Sequence, residues 1–277
     1  MFTLPLRPKN PFRYPGGRLP GIDRSHPAAS KLMWSGICYG GNAINLVNGQ
    51  PGVPTGSPLP VGAMDPVLGP CMNTQANFNL WSNFSGLPIS PAGCPGTVAV
   101  LLRFNFISGS IMAIIGPGSE QLVFQLDAGN IPDLYLYSST GGTGLILGPA
   151  DTSGNVPYFL VASWYYSGGS VFATATLKNL NTGQIITGSS SGTGTHDAGD
   201  GTLTYGGGAF ADNVAGNNAA GMWSIAYLSP AQQLAWAADP WSFWYPPVLE
   251  QIIAESVTGG PPPLVYPRTS TWATIDM

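Results

Sequence analysis

Charge is scarce in this chain: only 8% of its 277 residues are Asp, Glu, Lys or Arg, against roughly 25% in an ordinary globular protein. A surface built instead from Gly, Ser, Thr, Asn and Gln repels its neighbours weakly, which suits a protein packed against others better than a free cytosolic enzyme. Histidine is scarcer still. His26 and His196 are the only two, and catalysis needs convergent ionisable or metal-bound groups. Cys38, Cys71 and Cys94 are an odd number without Cys-x-x-Cys spacing, so buried thiols are expected, with neither a disulfide framework nor a zinc site. No apolar run approaches the ~18 residues that span a bilayer, and the opening MFTLPLRPKNPFRYPGG holds no apolar signal segment. A soluble product of the cytoplasm without a membrane partner is the expectation.

What the chain has in quantity is glycine, proline and aromatics. Gly 38 and Pro 27 punctuate a sequence that is 44% hydrophobic and 11% aromatic, a mixture that fits many short strands joined by many turns. Residues 1–31 carry six of the nine basic groups against the single acid Asp23, a surplus of +5 that leaves −9 on the rest. Prolines separate these charges, so the segment reads as an extended basic arm that docks on acidic protein surface, and no nucleic acid is expected. Its apolar residues Phe2, Leu4, Leu6, Phe12 and Tyr14 would supply the affinity, with Arg7, Arg13 and Arg18 steering association. A second proline-rich arm is expected over 248–277. Residues 32–247 form the single domain between them.

Within that domain the dominant period is two. In TVAVLLRFNF, Val98, Val100, Leu102, Phe104 and Phe106 fall on one face and Ala99, Leu101, Arg103 and Asn105 on the other, the pattern of a half-buried strand. Further strands are predicted over 110–115, 121–126, 133–138, 144–147, 158–166, 171–177, 184–187, 202–205 and 222–228. Strands at this spacing predict an all-β protein, a two-sheet antiparallel jelly-roll sandwich with extended terminal arms. One short helix interrupts it. Ser229-Pro230-Ala231-Gln232 places a capping serine, a proline at the first helical position and a capping-box glutamine, and Asp239-Pro240 ends the run.

Reactive constellations are thin. Gly188-Ser189-Ser190-Ser191-Gly192 matches the form of a nucleophile elbow, but no helix is predicted after it, only a Gly/Thr loop. His196, Asp197 and Asp200 sit among turn formers, and nothing pairs any two of Glu120, Asp127, Asp133 and Asp151 across a cleft for glycoside hydrolysis. No catalytic, cofactor or metal residue is assigned. Aromatics remain as candidates: Trp164, Tyr165 and Tyr166 in one strand, and Trp241, Phe243, Trp244 and Tyr245 after the helix. They either stack on sugar faces and anchor interfaces or simply pack the core.

The order of these features resembles a known family. His26–Met33 and Asn45–Gly52 are similar to its opening segment and following turn, Phe159–Trp164 to one of its strands, and Leu180-Asn181-Thr182-Gly183 to its Asn-Gly turn. Met222–Leu234, with Leu228-Ser229-Pro230-Ala231 at its centre, and Asp239-Pro240-Trp241-Ser242-Phe243-Trp244-Tyr245-Pro246 resemble the segments that close the domain. Together these pieces resemble those of the laminin-G-like, concanavalin A-like jelly-roll structural proteins of tailed bacteriophages. The resemblance implies a non-enzymatic virion component, a head decoration or a short fibre, made in the bacterial cytoplasm and partnered by other virion proteins and copies of itself. The alternatives are a receptor-binding module for host-surface glycan and a glycan hydrolase. Gln232 and Asn45 replace acidic residues of the family pattern.

Overall fold

The computed structural model describes residues 14–15, 20–39, 42–53, 61–74, 82–89, 94–104, 109–116, 119–127, 131–138, 141–146, 155–193, 199–205 and 216–246; for 82–89 and 109–146 it describes the backbone alone. Met1–Pro246 is one compact unit, and Pro247–Met277, the second, lies outside the described residues.

The described residues include fifteen strands: β1 Leu32–Tyr39, β2 Asn42–Asn45, β3 Val61–Asp65, β4 Gly69–Thr74, β5 Ser82–Ile89, β6 Gly96–Phe104, β7 Gly109–Gly116, β8 Ser119–Asp127, β9 Ile131–Ser138, β10 Gly141–Ile146, β11 Val156–Ser167, β12 Ser170–Asn179, β13 Ile185–Thr193, β14 Gly199–Tyr205 and β15 Gly216–Ser224. They form two antiparallel sheets. The larger runs β13-β12-β11-β6-β15-β1-β2, with β4 sharing the outer edge of β15 and β3 paired to β4; the smaller runs β10-β9-β8-β7-β14-β5. The chain leaves the larger sheet after β6, builds β7–β10 as a meander in the smaller one, and returns as β11 beside β6. This is the predicted jelly-roll sandwich.

Val98, Val100 and Leu102 lie in the inter-sheet core with Leu160, Ala162, Trp164, Trp34, Trp223 and Tyr205. Phe104's side chain and Phe106 lie outside the described residues. The strand is not half-buried, however. Ala99 and Leu101, on its other face, are as completely buried as their neighbours, because a third layer covers the larger sheet. Two large rings fit the inter-sheet space only because glycines lie under them. A Cβ at Gly96, the register partner of Trp164, would come within 2.2 Å of the indole, and one at Gly36 within 2.3 Å of Trp34.

The third layer is built from both flanks of the domain. Helix α1, Pro230–Ala238, starts as the sequence predicts: Ser229 Oγ accepts from the Gln232 amide while Gln232 Oε1 accepts from the Ser229 amide. Its buried Trp236 and Ala237 cover Phe159 and Val161, joined by Trp241, Phe243, Trp244 and Tyr245 from the segment after the helix. The N-terminal segment closes over these rings. Gly21 and Asp23 donate their amides to the carbonyls of Trp244 and Phe243, and His26 caps a single 3-10 turn, Pro27–Ala29, with its ring edge-on to Trp236 at 4.4 Å. Tyr14 is a correction to the projecting arm. Its ring meets Trp241 at 5.8 Å and Tyr245 at 5.5 Å, and its amide donates to Val67 O. The reason is steric: Gly69, at φ +71°, has no Cβ where the Tyr14 ring lies. Phe2, Leu4, Leu6, Arg7, Phe12, Arg13 and Arg18 lie outside the described residues.

Candidate functional site

Among the described residues the third layer leaves the outward face of β12 and β13 beyond α1 open. Strands β11, β12 and β13 form a meander whose first hairpin turns through Gly168 and Gly169, both at positive φ, as a two-residue hairpin requires. Val171, Ala173 and Ala175 of β12 point into the inter-sheet core, so Phe172, Thr174 and Thr176 point outward. The β12–β13 register sets Ser191, Ser189 and Thr187 directly opposite them. Helix α1 covers the Thr176 end. Beyond it lie two contiguous depressions of about 370 and 310 Å³ that share Thr174 and Ser189.

One end of this groove is aromatic. Tyr165 of β11 and its cross-strand partner Phe172 stack at 5.2 Å with 17° between their planes, and Tyr227 meets Tyr165 edge-on at 5.0 Å. Tyr165 is 37% exposed. A ladder of small hydroxyls runs from Ser191, opposite Phe172, through Thr174 and Ser189 to Thr187 at the other end. The described lining, completed by Pro230, Gln233 and the small residues Ala173, Ala175, Gly188 and Ser190, carries no charged side chain. A wall of rings beside a floor of neutral donors and acceptors matches a ligand with one apolar face and a rim of hydroxyls.

Gln233 holds the floor in place. It is fully buried on α1, where its backbone amide donates to Ser229 O. Its Nε2 donates to Leu228 O at 3.2 Å and to Thr174 Oγ1 at 2.9 Å, while Thr176 Oγ1 donates to its Oε1 at 3.3 Å. A carbonyl only accepts, so the contact with Leu228 O identifies the amide nitrogen and fixes the orientation of the whole side chain.

The residues singled out in sequence are divided by the pleat. Trp164 is a correction: it is 1% exposed and packs between the sheets, because alternate side chains of a strand point to opposite faces. Tyr166 shares its side and packs half-buried against the same core. Only Tyr165 of the three faces outward. Trp241, Phe243, Trp244 and Tyr245 are all buried in the third layer. The 188–193 stretch, expected as a loop, is the second half of β13; Ser190 sits mid-strand opposite Ala173, without the strand-to-helix turn of a nucleophile elbow. His196, Asp197 and Asp151 lie outside the described residues, as do the side chains of Glu120, Asp127, Asp133 and Asp200. Phe172, Tyr227, Ser189 and Gln233 were not singled out in sequence; strand register sets Phe172 and Ser189 on one face, and the packing of the segment after β15 and of α1 adds Tyr227 and Gln233.

Two buried polar groups stand away from the groove. Burial alone would raise the Asp65 carboxyl, but Arg103, the amides of Leu68 and Val67, and Asn217 outweigh it and hold it at about 2. Arg103 Nε donates to Asp65 Oδ2 at 2.5 Å. Cys38 and Cys71 are buried free thiols, and Cys94 is a half-buried one; burial pushes the Cys71 thiol up to about 12. Among the described residues no cluster of three His, Cys, Asp or Glu side chains is placed to hold a metal, and no helix is long and apolar enough to cross a membrane.

No family model matches this chain, and no curated protein matches its sequence. Among solved structures it is similar to domain 4 of AbnA, a GH43 extracellular arabinanase from Geobacillus stearothermophilus in complex with arabinotriose. That likeness has 12% identity and a TM-score of 0.48 over 79% of this chain and 98% of that one. The binding domain of Paraclostridial Mosquitocidal Protein 1 is similar at 10% identity and a TM-score of 0.48, over 74% of this chain and 51% of that one. A CBM2 module of the Lactobacillus casei BL23 phage J-1 evolved Dit gives 11% identity and a TM-score of 0.38, over 57% and 77%. This chain also spans about a third of the Trypanosoma rangeli sialidase it resembles at 10% identity and a TM-score of 0.42. Likenesses this distant carry no argument about function.

Proposed function

We propose that this protein is a non-catalytic component of a phage particle whose jelly roll recognises glycan through the open part of its larger sheet. The observation that carries the reading is the juxtaposition of the stacked pair of exposed Tyr165 and half-buried Phe172 with the hydroxyl ladder of Thr174, Ser189 and Ser191. A pyranose ring has that same division, a C–H face suited to an aromatic surface and a rim of hydroxyls suited to Ser and Thr. None of the described residues lining the groove is a carboxylate, imidazole or thiol, so these residues offer no acid–base pair for glycosidic cleavage. Assignment to the particle rests on the resemblance of Met222–Leu234 and Asp239–Pro246 to phage jelly-roll proteins and on the low-charge surface. Other virion proteins and further copies of this chain are the partners in that setting, with the basic segment before Tyr14 as the assembly contact.

A glycan array probed with the purified protein tests the recognition directly. Tyr165→Ala, a change at a partly exposed strand position, is expected to weaken the array ligands by about tenfold, the equivalent of one lost aromatic contact. Array signals that survive Tyr165→Ala unchanged overturn the assignment of the groove. Release of new reducing ends from a bound glycan overturns its non-catalytic character. Antibody labelling of intact particles tests the location.

A further inference from the structure

The groove's polarity is fixed from beneath, and this restricts what it can hold. Leu228 O lies 3.2 Å from one terminal atom of the Gln233 amide, which must therefore be Nε2. That same Nε2 stands 2.9 Å from Thr174 Oγ1, so the threonine hydroxyl accepts there and cannot also point its hydrogen inward. Thr174 is half-buried and opens on the groove, and its hydrogen has no acceptor among the described residues. Thr176 is the opposite case. It is 1% exposed and spends its hydrogen on Gln233 Oε1. Of the two hydroxyls that Gln233 touches, one is sealed and the other is turned outward as a donor.

We infer that the groove takes an uncharged hexopyranose glycan, with its C–H face against Tyr165 and Phe172 and an acceptor oxygen opposite the Thr174 hydroxyl, and that Gln233 is the positioning residue that sets the polarity of that contact. The inference rests on the glycan reading above and makes it specific. An anionic sugar is disfavoured because no Lys, Arg or His is among the described residues lining the groove to repay desolvation of a carboxylate or sulfate. The preference for an acceptor follows from Gln233. Its amide takes one of the two lone pairs of Thr174 Oγ1 and keeps the hydrogen off that direction, so the hydroxyl presents its O–H, with one remaining lone pair, to the groove.

The discriminating experiment needs no variant. Methyl β-D-galactopyranoside and β-D-glucopyranoside, with each hydroxyl in turn replaced by hydrogen or by fluorine, are titrated into the wild-type protein and followed by NMR. Fluorine accepts weakly and never donates. At one position the deoxy sugar is expected to bind about three- to tenfold more weakly, the range of one neutral hydrogen bond, while the deoxyfluoro sugar keeps most of that loss restored. Thr174→Val should erase the difference between the two analogues and Thr174→Ser should preserve it. Binding of the parent sugars with no position that separates hydrogen from fluorine, or an unchanged difference in Thr174→Val, overturns the polarity inference and leaves the glycan groove standing. Tighter binding of the matching uronic acid overturns the neutral class. Failure of either parent sugar to perturb the signals of Tyr165, Thr174 or Ser189 removes the groove reading itself.

Discussion

His26 shows how one side chain ties the two flanks of the domain together. Its Nδ1 accepts from the Ala28 amide, and its ring packs on Trp236 and Phe243. Burial among these rings lowers its pKa to about 4 from an ordinary 6.5, against the pull of Asp23. The unfolded chain therefore binds a proton near pH 6.5 that the folded protein refuses until about pH 4. Stability from this group is fully present above 6.5 and is lost as pH falls towards 4, by roughly 2 kcal/mol once partial exposure is allowed for. Asp65 acts in a lower window, from its ordinary 3.8 down to about 2. Urea unfolding at a series of pH values should show both steps. His26→Asn retains a cap acceptor but does not titrate, so its stability should be flat between pH 6.5 and 4; a wild-type slope in that variant assigns the step to another group.

Among the elements, α1 links stability to the groove. Its first turn is closed by the reciprocal Ser229–Gln232 bonds, and Gln233 follows immediately, donating its own amide to Ser229 O. Ser229→Ala removes the side-chain acceptor for an N-terminal amide and is expected to cost about 0.5–2 kcal/mol. An unchanged urea midpoint would mean that water satisfies the Gln232 amide as well as Ser229 does. The strands show the complementary behaviour. β6 is apolar on both faces, at Val98, Val100 and Leu102 and again at Ala99 and Leu101, and a strand in the middle of three layers needs both. β13 has polar or small residues over most of its length because it is an edge strand with one partner, β12.

For the molecule as a whole, the N-terminal segment is a structural part of the domain wherever it is described. Tyr14, Gly21 and Asp23 contribute two T-shaped ring contacts and three backbone hydrogen bonds to the third layer. Deleting residues 1–25 should leave the sandwich folded but weaken it by about 2–4 kcal/mol, the burial of one aromatic ring and its hydrogen bonds less the entropy of ordering the segment. Trp241 and Tyr245 would then be uncovered, and dye binding to exposed apolar surface should rise. A truncated protein with wild-type stability and no added dye binding would show that the segment rests on the domain without supporting it.

The sequence alone determined the elements whose signals are local. Strands over 98–104 and 158–166 were legible because short runs of β-branched, leucine and aromatic residues bounded by turn formers favour the pleat. The Ser229–Gln232 pattern gave a helix start, because a cap is closed within four residues. β1 to β5 were not legible in the same way. Their short Gly-, Pro- and Asn-containing segments become strands through their pairing: Gly-Pro-Cys-Met-Asn-Thr of β4 with β15, far off in sequence, and Val-Gly-Ala-Met-Asp of β3 through its hairpin with β4. Gly188–Thr193 carries loop composition and is held extended by β12. The groove depended still more on tertiary structure. Sequence placed Trp164, Tyr165 and Tyr166 together, but only the packing of two sheets decided which face was inside. Thr174 meets Ser189 across a strand pair and Gln233 across a helix–sheet contact. The Thr174 hydroxyl turns its hydrogen away from α1 because the buried Gln233 amide occupies that direction, and that is decided by the fold.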